Sequence, residues 1–106
     1  MSEKQALSFK ERVYAATKDI PKGYVTTYGA IARRIDSPDA VRAVGTALRL
    51  NPTPIVIPCH RVIKADLSLG KYYGANAVIK QELLQNEGVM FTPTGKVRRE
   101  HLWTWG

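Results

Sequence analysis

The chain has 106 residues, 44% of them apolar and 24% charged, which leaves room for one hydrophobic core and sets aside disordered tails and fibrous repeats. Sixteen Lys and Arg against nine Asp and Glu give a net charge of +7 and an isoelectric point near 9.8; this favours a polyanionic partner, DNA or RNA first, although charge alone also serves solubility. Met1 to Lys10 lack the basic-then-apolar layout of a secretory signal, no apolar run approaches the roughly 20 residues of a membrane span, and Cys59 with His60 and His101 offers neither an internal disulfide nor a usual zinc site.

Ser8 with Glu11 three residues later is a capping-box signature, and Phe9, Val13, Ala16 and Ile20 follow at helical spacing, so a helix is expected from Phe9 to Asp19. Pro21, Lys22 and Gly23 break it. Tyr24-Val25-Thr26 favours a β segment, and Thr27 is the expected N-cap of a short helix through Ile35. Asp36-Ser37-Pro38 reads as the next helix start, with Ala40, Val41, Val44, Ala47 and Leu48 as its apolar stripe. Two short helices joined by a tight turn are helix-turn-helix grammar, although periodicity alone fits any small helical bundle equally well.

Asn51-Pro52-Thr53-Pro54 is an expected loop, and Ile55-Val56-Ile57 an apolar β-type run ending at Pro58, which puts Cys59 just beyond a buried strand. Asp66 to Gly74 reads as an exposed loop, and Ala77 to Asn86 as a last helix closed by Gly88. The tail holds a Thr-Pro-Thr-Gly turn, a basic cluster of Lys96, Arg98 and Arg99, and Trp103 and Trp105, expected to pack on the helices. The fold class expected is mainly α: a small helical bundle with a winged-helix-like helix-turn-helix and short β segments, as one domain over residues 1–106.

A thiol is a good nucleophile only as thiolate, and the imidazole beside Cys59 can accept its proton, yet a Cys-His pair alone also fits a merely buried cysteine. Ile57-Pro58-Cys59-His60-Arg61-Val62-Ile63 resembles the acceptor-cysteine motif of the O6-alkylguanine-DNA alkyltransferases. The resemblance extends in order through Ile20-Pro21-Lys22-Gly23, Thr27-Tyr28, Ala43-Val44-Gly45, Asn51-Pro52 and Glu87-Gly88. It implies a DNA-repair protein that moves an alkyl group from O6 of a flipped guanine in double-stranded DNA to Cys59, once per molecule and without cofactor or metal.

By the same resemblance, His60 and Glu87 correspond to the proton relay, Asn51 to a brace of the active-site turn, and Tyr28 to the donor that protonates the departing guanine. Arg42 corresponds to the finger that fills the gap left by the flipped base. Ala40, Ala43, Gly45, Thr46 and Arg49 share its DNA-facing helix, and Tyr72, Tyr73, Gly74 and the carbonyl of Val62 line the lesion pocket. Where this chain has Tyr73 the family commonly has a small residue, which bears on substrate range.

The tail is similar to tails of the alkyltransferase-like proteins, which bind alkylated guanine without repairing it and carry another residue at the acceptor position. Cys59 favours the enzyme over this damage sensor. A helix-turn-helix transcription regulator is the third reading; the small residues of the second helix offer few base-edge readers and disfavour it. A cytoplasmic monomer, nuclear in a eukaryote, is expected, with no membrane partner.

Overall fold

A computed structural model describes residues 7–53, 56–69 and 77–105. Helix α1, Phe9–Lys18, starts on the expected capping box: the Ser8 hydroxyl accepts from the Glu11 N–H at 3.1 Å and Glu11 Oε1 accepts from the Ser8 N–H at 3.2 Å. Two of the orphan donors of the first turn are thereby satisfied. Asp19 is the C-cap rather than the last helical residue. The helix buries Val13, Ala16 and Thr17, and the Thr17 hydroxyl donates back to Val13 O at 2.7 Å, so no polar group is stranded in the core.

Strand β1, Thr26–Thr27, leads into helix α2, Tyr28–Arg34, whose N-cap is Thr27 with its hydroxyl accepting from the Ala30 N–H at 3.1 Å. The expected helix start at Asp36-Ser37-Pro38 is corrected here. Asp36 takes the left-handed conformation, φ 60, and closes α2: its N–H donates to Arg33 O and the Ser37 N–H donates to Ala32 O at 2.8 Å. That is a Schellman closure with Asp in the position usually held by Gly. Helix α3, Val41–Arg49, begins three residues after Pro38 on a bare N-cap, Ala40, and buries Val44, Ala47 and Leu48 against α1 and α2.

The run before the cysteine is the second correction. Val56 is an exposed turn residue and only Ile57 is buried; Ile55 lies outside the described residues. The strand instead follows the cysteine, because Cys59–Arg61 make one 3-10 turn and β2 is Val62–Ile63. Strand β2 pairs parallel with β1, Thr26 opposite Val62 and Thr27 opposite Ile63.

Successive strand residues point to opposite faces, and these two divide the core between them. Val62 joins the cluster of Val13, Ile31, Val44 and Leu48, while Ile63 joins that of Val25, Leu69, Leu84, Val89 and Val97. Leu69 is buried, so the segment expected as an exposed loop from Asp66 is anchored inward at that residue; 70–76 lie outside the described residues.

Helix α4, Ala77–Asn86, ends as expected at Gly88, φ 92, with Gly88 N–H to Gln85 O and Val89 N–H to Leu84 O, both 3.0 Å. Phe91 and Val97 bridge antiparallel across a tight turn at Gly95, a short wing. The chain then returns to β1, where Val25 N–H donates to His101 O and Trp103 N–H to Val25 O at 2.8 Å. Trp103 and Trp105 pack on the helical cluster, and Trp105 Nε1 donates to Asp19 Oδ2 at 3.0 Å. The fold is mainly helical with a helix-turn-helix and short β segments, and among the described residues no helix is long and apolar enough to cross a membrane.

Candidate active site and nucleic-acid interface

Cys59 opens the 3-10 turn between the two core clusters, 6% exposed, and His60 behind it is fully buried. Local bonds hold this turn. Asn51 Nδ2 donates to Ile57 O at 2.8 Å and its Oδ1 accepts from the Thr53 N–H at 2.9 Å, so one buried amide ties the end of α3 to the residue two before the cysteine. Both donor and acceptor ends of Asn51 are used, which fits the bracing role expected of it.

His60 Nε2 lies 3.1 Å from Glu87 Oε2. Glu87 follows α4 directly, where a carboxylate meets the negative end of the helix dipole, and Arg61 offsets this. The guanidinium grips both carboxylate oxygens, Nε to Oε1 at 2.9 Å and Nη2 to Oε2 at 2.7 Å, while Nη1 donates to Ile20 O at 2.8 Å. Such a fork is stronger and more directional than a single ion pair. Because Nε2 faces a carboxylate, it carries the proton and Nδ1 is the basic nitrogen.

Burial pushes the Glu87 carboxyl up, but the hydrogen bonds from Arg61 and His60 outweigh it and hold the carboxyl below its ordinary range. Burial lowers His60, against the pull of Glu87. The imidazole is therefore neutral at pH 7 and able to accept a proton, in the state a general base needs.

Tyr28 is the first residue of α2, and its ring lies over Gly45 of α3, where an added Cβ would sit 4.0 Å from the ring edge. Its hydroxyl accepts from Lys80 Nζ at 3.3 Å. Burial raises the phenol, and the field of Cys59 raises it further, so Tyr28 keeps its proton. Lys80 is 1% exposed, and desolvation lowers it to about 8, against the opposing pull of the Cys59 anion.

On α3, Arg42, Ala43, Thr46 and Arg49 are exposed and recur at helical spacing on one face, with Ala40 half-buried at the N-cap. Gly45 lies half-buried beside that face, in van der Waals reach of the Tyr28 ring. An open groove of about 760 Å³ runs between this face and the start of α1, lined by Phe9, Ala40, Arg42, Ala43, Thr46 and Leu50 among others. Its surface is mostly apolar, with Ser8, Lys10, Asp39, Arg42 and Thr46 as its polar side chains.

Thus Cys59, His60, Glu87, Asn51 and Tyr28 are gathered around one turn, to which Asn51 ties the end of α3. The side chain of Val62 is core, which leaves only its backbone for a ligand, and the Cys59 carbonyl already accepts from the Val62 N–H. Tyr72, Tyr73 and Gly74 lie outside the described residues. Sequence reasoning gave Arg61 no role and passed over Lys80. The signal for Lys80 was present: Lys80 and Leu84 stand at i and i+4 on one face of α4, and Glu87 follows at i+7, just past the helix end.

The family model for the 6-O-methylguanine DNA methyltransferase DNA binding domain matches residues 8–89. A methylated-DNA–protein-cysteine methyltransferase of Rattus norvegicus is 42% identical over 90 residues, 84% of this chain and 42% of the relative. That of Methanosarcina mazei is 46% identical over 83 residues, 78% of this chain and 52% of the relative. The chain spans about half the length of the curated relatives it matches.

Among solved structures, Mycobacterium tuberculosis OGT in complex with DNA is similar with TM-score 0.73 and 44% identity, over 76% of this chain and 50% of that one. S. pombe Atl1 in complex with damaged DNA containing O6-carboxymethylguanine is similar with TM-score 0.76 and 36% identity, over 92% of this chain and 95% of that one.

Proposed function

The chain belongs to the 6-O-methylguanine DNA methyltransferase DNA-binding-domain family, and from that premise we propose that it repairs O6-alkylguanine in double-stranded DNA by moving the alkyl group to Cys59. The observation that carries this reading is a sole thiol on a braced turn, next to a neutral buried imidazole held by Glu87. His60 Nδ1 takes the thiol proton and Glu87 steadies the imidazolium that forms. The thiolate attacks the alkyl carbon in line with the departing O6. Tyr28 O–H protonates the purine, which would otherwise leave as a poor anion.

The O6 atom is out of reach inside the base stack, so the nucleotide must be flipped. Arg42, exposed on α3, is assigned to the vacated gap, and Ala43, Thr46 and Arg49 to the DNA around it. The product thioether has no ready leaving group, so each molecule acts once. The protein works in the compartment that holds the DNA, as one domain over residues 1–106.

Intact mass after mixing with a duplex containing O6-methylguanine is the test. A gain of one methylene, mapped to the Cys59 peptide, is expected. The near end-to-end likeness to Atl1 favours a second reading, a damage sensor that binds the lesion and leaves it in place. Tight lesion binding without mass gain would establish that reading instead.

Arg42→Ala separates flipping from chemistry. It is expected to slow transfer from duplex roughly tenfold or more, since unstacking costs a few kcal/mol, and to leave reaction with the free base O6-benzylguanine nearly unchanged. The readout is the ratio of the two single-turnover rates. Equal losses would place Arg42 in the structure of α3 or at Cys59.

A further inference from the structure

His101 lies beyond residue 89, where the match to the family model ends, and the transfer scheme above gives it no part. Both nitrogens of its ring are nevertheless bound, each by a different stretch of chain. The Met90 N–H donates to Nε2 at 3.1 Å, and Nδ1 lies 3.0 Å from Gly23 O. A backbone N–H can only donate and a carbonyl can only accept, so the ring carries its proton on Nδ1 and uses both nitrogens at once.

These two stretches frame the relay carboxylate. Met90 stands three residues after Glu87, with the buried Val89 between them. Gly23, φ 90, lies against Glu87 itself, since an added Cβ there would sit 3.3 Å from Glu87 O. Arg61 already joins the same pair of stretches: its fork holds the Glu87 carboxylate while Nη1 donates to Ile20 O, three residues before Gly23. His101 is a second clasp, from Gly23 to Met90.

The clasp is fixed at its base as well as at its ring. Met90 O accepts from the Arg98 N–H at 2.9 Å, His101 O accepts from the Val25 N–H at 2.9 Å, and Val25 O accepts from the Trp103 N–H at 2.8 Å. Such fixing matters at Glu87, which sits just past the end of α4, where backbone frays most easily. Its Oε2 has to stay in hydrogen-bond reach of His60 Nε2, 3.1 Å away.

We propose that His101 is a positioning residue for alkyl transfer, a clasp that holds residues 87–90 against the turn at Gly23 and so keeps the Glu87 carboxylate on His60. The inference rests on the transfer reading. His101 acts through Glu87 and exchanges no proton in the reaction. The tail beyond the family match is thereby part of the transfer apparatus.

Single-turnover transfer at saturating O6-methylguanine duplex would be measured for wild type, His101→Phe, Glu87→Gln and His101→Phe/Glu87→Gln, from about pH 6 to about pH 9. Misplacing a reacting group by about 1 Å can cost about 100-fold; with the Arg61 clasp still in place, His101→Phe should lose roughly tenfold near neutral pH. That deficit should shrink toward about pH 8.5, where solvent removes the thiol proton, whereas a generally loosened protein is slow at every pH.

Adding His101→Phe to Glu87→Gln should cost less than about twofold further, because the imidazole acts through the carboxylate. Thermal melting separates folding from rate: the His101→Phe penalty in melting should appear in both backgrounds, its penalty in rate only where the carboxylate is present. Affinity for the duplex should be unchanged. His101→Leu, smaller and equally without ring nitrogens, takes the place of His101→Phe if the phenyl ring prevents folding.

A His101→Phe variant at the wild-type rate, an equal loss in the Glu87→Gln background, a loss that is the same at every pH, or a loss in duplex affinity in place of rate would each overturn the proposal. A wild-type protein that gains no methyl group overturns the transfer reading and this inference with it. That outcome is distinguishable because it shows in the wild type before any variant is compared.

Discussion

Cys59→Ser is expected to end alkyl transfer outright while binding to O6-methylguanine duplex persists. A serine hydroxyl beside His60 has the shape of the thiol but not its acidity, and His60 is a weak base because burial lowers it. A neutral imidazole strips a thiol with little penalty, whereas a hydroxyl would need a far stronger base or an oxyanion hole to draw it off. Arg42, Ala43, Thr46 and Arg49 of α3, assigned above to DNA, are exposed side chains that make no use of the sulfur. The stability cost should be modest, about 1 kcal/mol, for exchanging a buried soft atom for a polar one. Mass spectrometry and lesion binding together check the prediction. A methyl group found on Cys59→Ser would move the acceptor elsewhere; loss of binding together with transfer would make Cys59 a structural residue.

The sequence made local closures legible and long-range ones not. Ser8 with Glu11, Thr27, and Gly88 each act within a few residues, and each cap forms where the pattern put it. Asp36 misled because one residue type serves two local roles: it can cap the next helix or, as here, take φ 60 and close the previous one. Ile55-Val56-Ile57 misled because an apolar run states burial, not pairing; the partner of β1 is Val62–Ile63, chosen by the tertiary fold. The tryptophans pack on the helices as their size demanded.

The site divides in the same way. Cys59 and His60 are neighbours in the motif, but Arg61 reaches Glu87 across 26 residues and Lys80 reaches Tyr28 across 52. No spacing rule connects such pairs. The family resemblance supplied Glu87 and Tyr28, and the folded chain supplied the two cations that hold them, Arg61 and Lys80. Gly45, grouped with the exposed face of α3 because small residues suit a groove, also stands in van der Waals reach of the Tyr28 ring, a contact that no spacing in the sequence announces.

Glu87→Gln is expected to slow transfer by roughly a hundredfold near neutral pH and to destabilise the protein in the same pH range. The carboxylate does two things at once: it supports the proton on His60 and it anchors the Arg61 fork. Without its charge, burial lowers His60 further, and a weaker base leaves less thiolate. The deficit should shrink as pH approaches the ordinary thiol range near 8.5, where solvent removes the proton instead.

The stability effect has its own pH signature. Glu87 is held below its ordinary pKa in the folded state, so its stabilisation is present above the unfolded carboxylate pKa and is lost as pH falls through the folded one. Glutamine can replace part of the hydrogen bonding but not the charge, so the cost should be about 2 kcal/mol at neutral pH, below the roughly 3–5 kcal/mol of a fully buried broken pair. Wild type and variant should therefore melt apart at pH 7 and together in strong acid. A variant that melts early yet reacts at the wild-type rate at every pH would leave Glu87 as the anchor of Arg61 alone and remove it from the proton path.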